Sequence, residues 1–122
     1  MGRVIHFEIH ADDVKRASDF YKKAFGWKIQ KWDGPLEYML VMTGDEKTPG
    51  IDGGIMQRTG PNSIWNTIDV KDLDAAIKKI EKSGGKVVEP KREVPQVGWM
   101  AYCQDTEGNI FGIMQAMPGA KM

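Results

Sequence analysis

The feature that most constrains this 122-residue chain is that it nearly repeats itself. Each half reads as a strand, a helix and then three strands, and landmarks recur at a fixed spacing. His6 and Trp65 stand 59 residues apart. So do the helix-capping Asp13 and Asp72, the helical Ala17 and Ala76, and the helix-ending Gly26 and Gly85. Gly53-Gly54-Ile55-Met56-Gln57 returns 58 residues later as Phe111-Gly112-Ile113-Met114-Gln115, a difference that one loop deletion absorbs. A βαβββ unit cannot cover both faces of its own small sheet, so two units are expected to pair. The predicted fold is α+β: two paired βαβββ modules forming an eight-stranded curved sheet around a cup, with the helices outside. The chain reads as one domain, with module 1 over residues 3–58 and module 2 over residues 63–116.

Local patterning supports this division. In Val4 to His10, Ile5, Phe7 and Ile9 share one face and His6, Glu8 and His10 the other, as in a half-buried strand. Asp13 offers an N-cap, Val14, Ala17, Phe20, Tyr21, Ala24 and Phe25 recur at helical spacing, and Gly26 ends the run. Strands are predicted over Trp27 to Trp32, Glu37 to Thr43 and Asp52 to Gln57. Thr59-Gly60-Pro61-Asn62 is the strongest break and the expected internal boundary. The pattern restarts with a strand at Ile64 to Val70 and a helix capped by Asp72 and ended by Ser83-Gly84-Gly85. Strands follow at Lys86 to Lys91, Trp99 to Gln104 and Ile110 to Gln115, with Pro90 and Pro95 bracketing a loop and Asp105 to Asn109 making a hairpin turn. The tail from Ala116 to Met122 is expected to fray.

Composition excludes several classes of function. Seventeen basic and 17 acidic residues give no net charge, so a general grip on nucleic acid is not expected. No apolar run nears the roughly 20 residues of a membrane span, and the N-terminus lacks a signal-peptide core. A cytoplasmic protein with no membrane partner is expected. Cys103 is the single cysteine, so no intrachain disulfide forms, and it reads as a buried, inert thiol. Phosphate-loop, dinucleotide and nucleophile-elbow motifs are missing.

Two stretches carry a family likeness. His6-Phe7-Glu8-Ile9-His10-Ala11-Asp12-Asp13, followed by Ala17-Ser18-Asp19-Phe20-Tyr21 and Phe25-Gly26-Trp27, opens the chain. Asp105-Thr106-Glu107-Gly108-Asn109-Ile110-Phe111 closes it. Together they resemble the vicinal oxygen chelate superfamily of glyoxalases, bleomycin-resistance proteins and extradiol dioxygenases, in particular its short glyoxalase-like members. The resemblance covers about Arg3 to Gln115. It implies paired modules around a cupped site, where family enzymes hold a divalent metal and carry out isomerisation, epimerisation, dioxygenation or thiol transfer. Other members bind bleomycin-type drugs without metal or catalysis.

The implied ligand positions are mostly vacated in this chain. The first falls on His6, its counterpart on Trp65, and the two carboxylate positions on Gly54 and Gly112. His6 is the one retained ligand-type residue. His6 and His10 lie about 13 Å apart along a straight strand, too far to share one ion. Catalytic zinc ordinarily has three protein ligands, so no metal or other cofactor is expected.

Strand alternation then places His6, Glu8, Trp65, Thr67, Met56 and Met114 around one cavity, with Tyr38 and Trp99 adding planar surfaces. His6 and Glu8 are the candidate catalytic residues; Glu8 reads slightly better as a charge at the rim, where His10 and Asp12 are also expected. The expected function is binding of a small molecule, with metal-independent lyase or isomerase chemistry by acid–base transfer. Non-catalytic drug or metabolite binding is the first alternative and a metal-dependent lyase or dioxygenase the second. The chain is expected to form a homodimer.

Overall fold

The alternation in the first strand organises its whole module. The computed structural model describes residues 2–35, 37–60 and 64–119. The Pro61-Asn62 part of the expected boundary and the end of the expected frayed tail lie outside them. Among the described residues there are eight strands and two helices, in the order strand, helix and three strands, twice over.

Module 1 contains β1 (Arg3–Ala11), α1 (Val14–Phe25), β2 (Lys28–Lys31), β3 (Met39–Met42) and β4 (Gly53–Gln57). Its strands lie in the order β2-β3-β4-β1, with β1 parallel to β4 and the other two pairings antiparallel. A parallel pair needs a long crossover, which α1 and the β2–β3 hairpin supply. Ile9, Ala11, Val41 and Ile55 make a buried core, against which Phe7, Val14, Ala17, Tyr21, Trp27, Ile29 and Met39 pack. The intervening residues of the same strands face the other way.

Module 2 contains β5 (Ile64–Asp69), α2 (Leu73–Lys82), β6 (Lys86–Val94), β7 (Gly98–Gln104) and β8 (Ile110–Ala116). Its strands lie in the order β5-β8-β7-β6, and β5 is parallel to β8. Leu73, Ala101, Cys103 and Ile113 form the core beneath α2. The chain divides into two compact units between Ile64 and Trp65, and the start of β1 through Ile5 goes with the second unit.

The repeat extends to the helix ends. Asp13 accepts a hydrogen bond from the Arg16 N–H at 2.9 Å, and Asp72 from the Ala75 N–H at 3.1 Å. Each fills one donor that the first helical turn leaves open. The C-terminal ends differ. Gly26 takes the left-handed conformation, whereas in module 2 it is Gly84, and not the aligned Gly85, that has positive φ. The Gly84 N–H then reaches the Glu81 carbonyl and the Gly85 N–H the Ile80 carbonyl, which is a Schellman closure.

One element differs from its expected limits. β6 continues through Pro90 to Val94, where a loop was predicted. Its pairing with β7 slips between Val87 and Glu89 and again between Glu89 and Arg92. β6 is the last strand in its order, so the missing Pro90 N–H removes no ladder bond on a second side, and the bulge absorbs the misfit.

The β7–β8 turn is built by one carboxylate. Asp105 accepts from the Glu107 and Asn109 backbone N–H groups at 2.8 and 2.9 Å and from the Asn109 side chain at 3.1 Å. These bonds hold its pKa below the ordinary aspartate value, the Asn109 N–H being the largest cause. A lowered folded pKa means that the stabilisation is present above the unfolded value of 3.8 and is lost as pH falls through the folded one. Asp105→Ala is therefore expected to lower the urea midpoint at pH 7, with the gap to wild type narrowing as the pH is taken below 3.8. A gap that stays constant with pH would contradict this assignment.

Candidate functional site

Four polar side chains gather on the face of the module 1 sheet that turns away from α1. β1 supplies three of them, because its even-numbered residues share that face: His6, Glu8 and His10. The fourth is Tyr38, two residues before Leu40 on β3. In the strand register Glu8 lies beside Gly54, and Gly54 beside Leu40, so the three strands bring one row to a common face.

The Tyr38 hydroxyl is the centre of the group. It lies 2.7 Å from His6 Nε2 and donates to Glu8 Oε2 at 3.2 Å. The His6 and Tyr38 rings are nearly parallel, at 14°. Glu8 Oε1 lies 4.0 Å from His10 Nε2. The chain His6–Tyr38–Glu8–His10 thus passes from two half-buried residues to two buried ones. Glu8 and His10 are buried, not at the rim as expected, because β1 runs inward from an exposed start to a covered end. Asp12 does lie outside and pairs with Arg58 Nε at 2.9 Å.

Burial holds the His6 imidazole below the ordinary histidine value, with the nearby Asp52 carboxylate partly opposing it. His10 is also held low, first by burial and then by the Arg58 guanidinium. Both shifts favour the neutral ring, the state in which a histidine can accept a proton.

Gly54 explains how the tyrosine fits. A Cβ at Gly54 would collide with the ring end and hydroxyl of Tyr38. The phenol therefore occupies the space above the glycine. A similar arrangement recurs in module 2, where a Cβ at Gly112 would come within 3.1 Å of the Tyr102 ring and 3.4 Å of Thr67 Oγ1.

The helix-averted face of module 2 is otherwise different in kind. Trp65, Met100, Tyr102 and Met114 form a buried cluster with Val94, Val97 and Ile110 around it. Trp65 meets Tyr102 edge-on at 4.9 Å, and Thr67 is buried on the same strand face. Trp99 does not join this face. It packs against the Leu73–Ala101–Cys103–Ile113 core beneath α2, with Lys91 Nζ 5.1 Å from its ring centre. Strand parity is the cause, since residues 99, 101 and 103 share the helix side. Tyr102, which the sequence reading missed, takes the position expected for an aromatic. Met56 sits half-buried beside His10 in the β1–β4 register, on the face that carries His6 and Glu8. Cys103 is fully buried, and burial with the Glu81 charge pushes its thiol pKa up, away from reactivity.

The divalent ion that the family resemblance implies does not fit these residues. Gly54 and Gly112 offer no ligand, and a tyrosine ring lies over each glycine, so His6 is left without the partners a divalent ion needs. Among the described residues no three His, Cys, Asp or Glu side chains come together in a way that could hold a metal.

The comparisons with known proteins agree with the fold. Residues 3–44 match the family model for the bleomycin resistance protein-like N-terminal region. A glyoxylase-like domain-containing protein from Didymella fabae is 34% identical, over 92% of this chain and 92% of its own length. Several other relatives are longer, and the chain spans about half their length. Among solved structures, methylmalonyl-CoA epimerase from Mycobacterium tuberculosis superposes with a TM-score of 0.69 at 18% identity, over 94% of this chain and 88% of its own. A Streptomyces coelicolor methylmalonyl-CoA epimerase variant in complex with 2-nitronate-propionyl-CoA gives 0.71 at 14% identity, covering 98% of each chain.

Proposed function

Because the chain belongs to the glyoxylase-like family of the vicinal oxygen chelate superfamily, we propose that it moves a proton beside the carbonyl of a small molecule, without a metal ion. The observation that carries this reading is the Tyr38 hydroxyl held between His6 and Glu8. His6 is the base. It takes a proton from the carbon next to the carbonyl, and the electron pair moves onto the carbonyl oxygen as an enolate. Return of the proton from His6 to the neighbouring position isomerises the compound; inversion of the first carbon takes a proton from solvent on the opposite face while His6 keeps the one it removed. Glu8 acts through the phenol. As a carboxylate it favours the imidazolium that forms, as an acidic partner does behind a catalytic histidine.

A CoA thioester or the hemithioacetal of an α-ketoaldehyde suits the proposal, since each places an acidic C–H beside a carbonyl. The test incubates the chain with methylmalonyl-CoA, and separately with such a hemithioacetal, in D2O containing EDTA. Deuterium uptake is followed by NMR. Exchange is expected to persist in the chelator and to fall about 10²–10⁴-fold in His6→Ala. Exchange that needs added divalent metal, or that His6→Ala leaves intact, would defeat the reading. Non-catalytic binding is the second reading, favoured by the apolar, buried Trp65–Met100–Tyr102–Met114 cluster. It predicts ligand-induced thermal stabilisation with no exchange.

A further inference from the structure

The hydrogen-bond order in the polar chain fixes which nitrogen of His6 is bare. In its carboxylate form Glu8 can only accept, so the Tyr38 O–H points to Glu8 Oε2 at 3.2 Å. The phenol oxygen then has only lone pairs left for His6 Nε2, 2.7 Å away. A contact that short between two acceptors would be repulsive, so Nε2 must carry the hydrogen. In a neutral imidazole the other nitrogen is then the acceptor. Among the described residues the imidazole has no other hydrogen-bond partner, and the residue is half-buried.

We infer that Tyr38 is a positioning residue that locks His6 as the Nε2–H tautomer and leaves the Nδ1 lone pair to meet the substrate. This rests on the reading of His6 as the base. Tyr38 touches no reacting atom. When Nδ1 takes the proton, Nε2 keeps its own, and the Tyr38 and Glu8 hydrogen bonds stay in the same order while the charge pair strengthens them. No proton need travel through the phenol. The tyrosine supplies orientation and a path for the Glu8 charge to be felt.

The chain has two histidines, which makes the test direct. The chain labelled with ¹⁵N-histidine is examined at neutral pH by long-range ¹H–¹⁵N NMR, with His6→Gln identifying the His6 signals. The expected wild-type pattern is a protonated Nε2 with a slowly exchanging proton, and an unprotonated Nδ1. In Tyr38→Phe that proton is expected to exchange too fast to be seen, and the tautomer ratio to relax toward that of a free imidazole. A wild-type His6 carrying its proton on Nδ1 would overturn the inference, as would an Nε2–H signal that Tyr38→Phe leaves unchanged. The wild-type spectrum decides the tautomer even if the variant folds poorly. The measurement needs no turnover. Intact Nε2–H order without isotope exchange would defeat the proposed activity alone, whereas exchange with the opposite tautomer would defeat this inference alone.

Discussion

Gly98→Ala is expected to lower the unfolding free energy by about 3 kcal/mol or more, a large fraction of what a domain of this size ordinarily has. Two effects coincide at this position. Gly98 opens β7 with a φ of 153°, a backbone geometry that L side chains rarely adopt. An added Cβ would also collide with the Gln115 carbonyl and lie 2.9 Å from the Ala116 Cα. Both obstacles are backbone of β8, to which β7 is hydrogen-bonded along its length, so neither can swing aside. Urea denaturation measures the loss. Gly60→Ala is the control, because a Cβ there meets nothing within 4 Å among the described residues. Equal midpoints for the two variants would show that β7 accommodates the side chain.

Gly54→Ala is expected to act on the site more than on the fold. The atoms its Cβ would meet are the hydroxyl and ring end of Tyr38, the mobile end of a half-buried side chain. The ring can turn outward, at the cost of its hydrogen bonds to His6 and Glu8. His6 loses its partner and Glu8 its link to the base. A displacement of this size near the reacting group typically costs about 100-fold in rate. The same variant is expected to lose the protected His6 Nε2–H signal. Isotope exchange and the NMR signal should therefore fall together. Loss of stability with an unchanged Nε2–H signal would mean that the tyrosine holds its place and the strands move instead.

Much of the fold was legible because it rests on short-range physics. The Asp13 and Asp72 caps, the Gly26 ending and the alternation in β1 are each written within a few residues. The Asp105–Asn109 turn also carries a register. Pairing Gln104 with Ile110 across it sets Tyr102 opposite Gly112 and Met100 opposite Met114. That signal could have found Tyr102 and excluded Trp99, whose odd position places it with Ala101 and Cys103. Aromatic character drew the reading to Trp99, and strand parity overrode it. The route of β6 was hidden for another reason. Pro90 reads as a break, and its tolerance depends on being in a strand with a neighbour on one side, a fact of tertiary order.

The site itself was half legible. His6 and Glu8 stand out on one strand face, and Gly54 stands out as a vacated position. What fills the vacancy comes from Tyr38, in the segment before β3 and 16 residues from the glycine it covers. No local pattern joins the two. Burial of Glu8 was also unreadable, since it depends on which end of β1 is covered.

The slipped pairing and proline of β6 bear on how the chain behaves when concentrated. A strand with a free side invites another chain to add to it, the first step toward fibrils. β6 carries Lys86, Glu89, Lys91, Arg92 and Glu93 among mostly exposed residues, interrupted by Pro90. A straight incoming segment would meet mixed charge, a missing donor and a kink. The sequence thereby discourages self-templated growth where a regular strand would promote it.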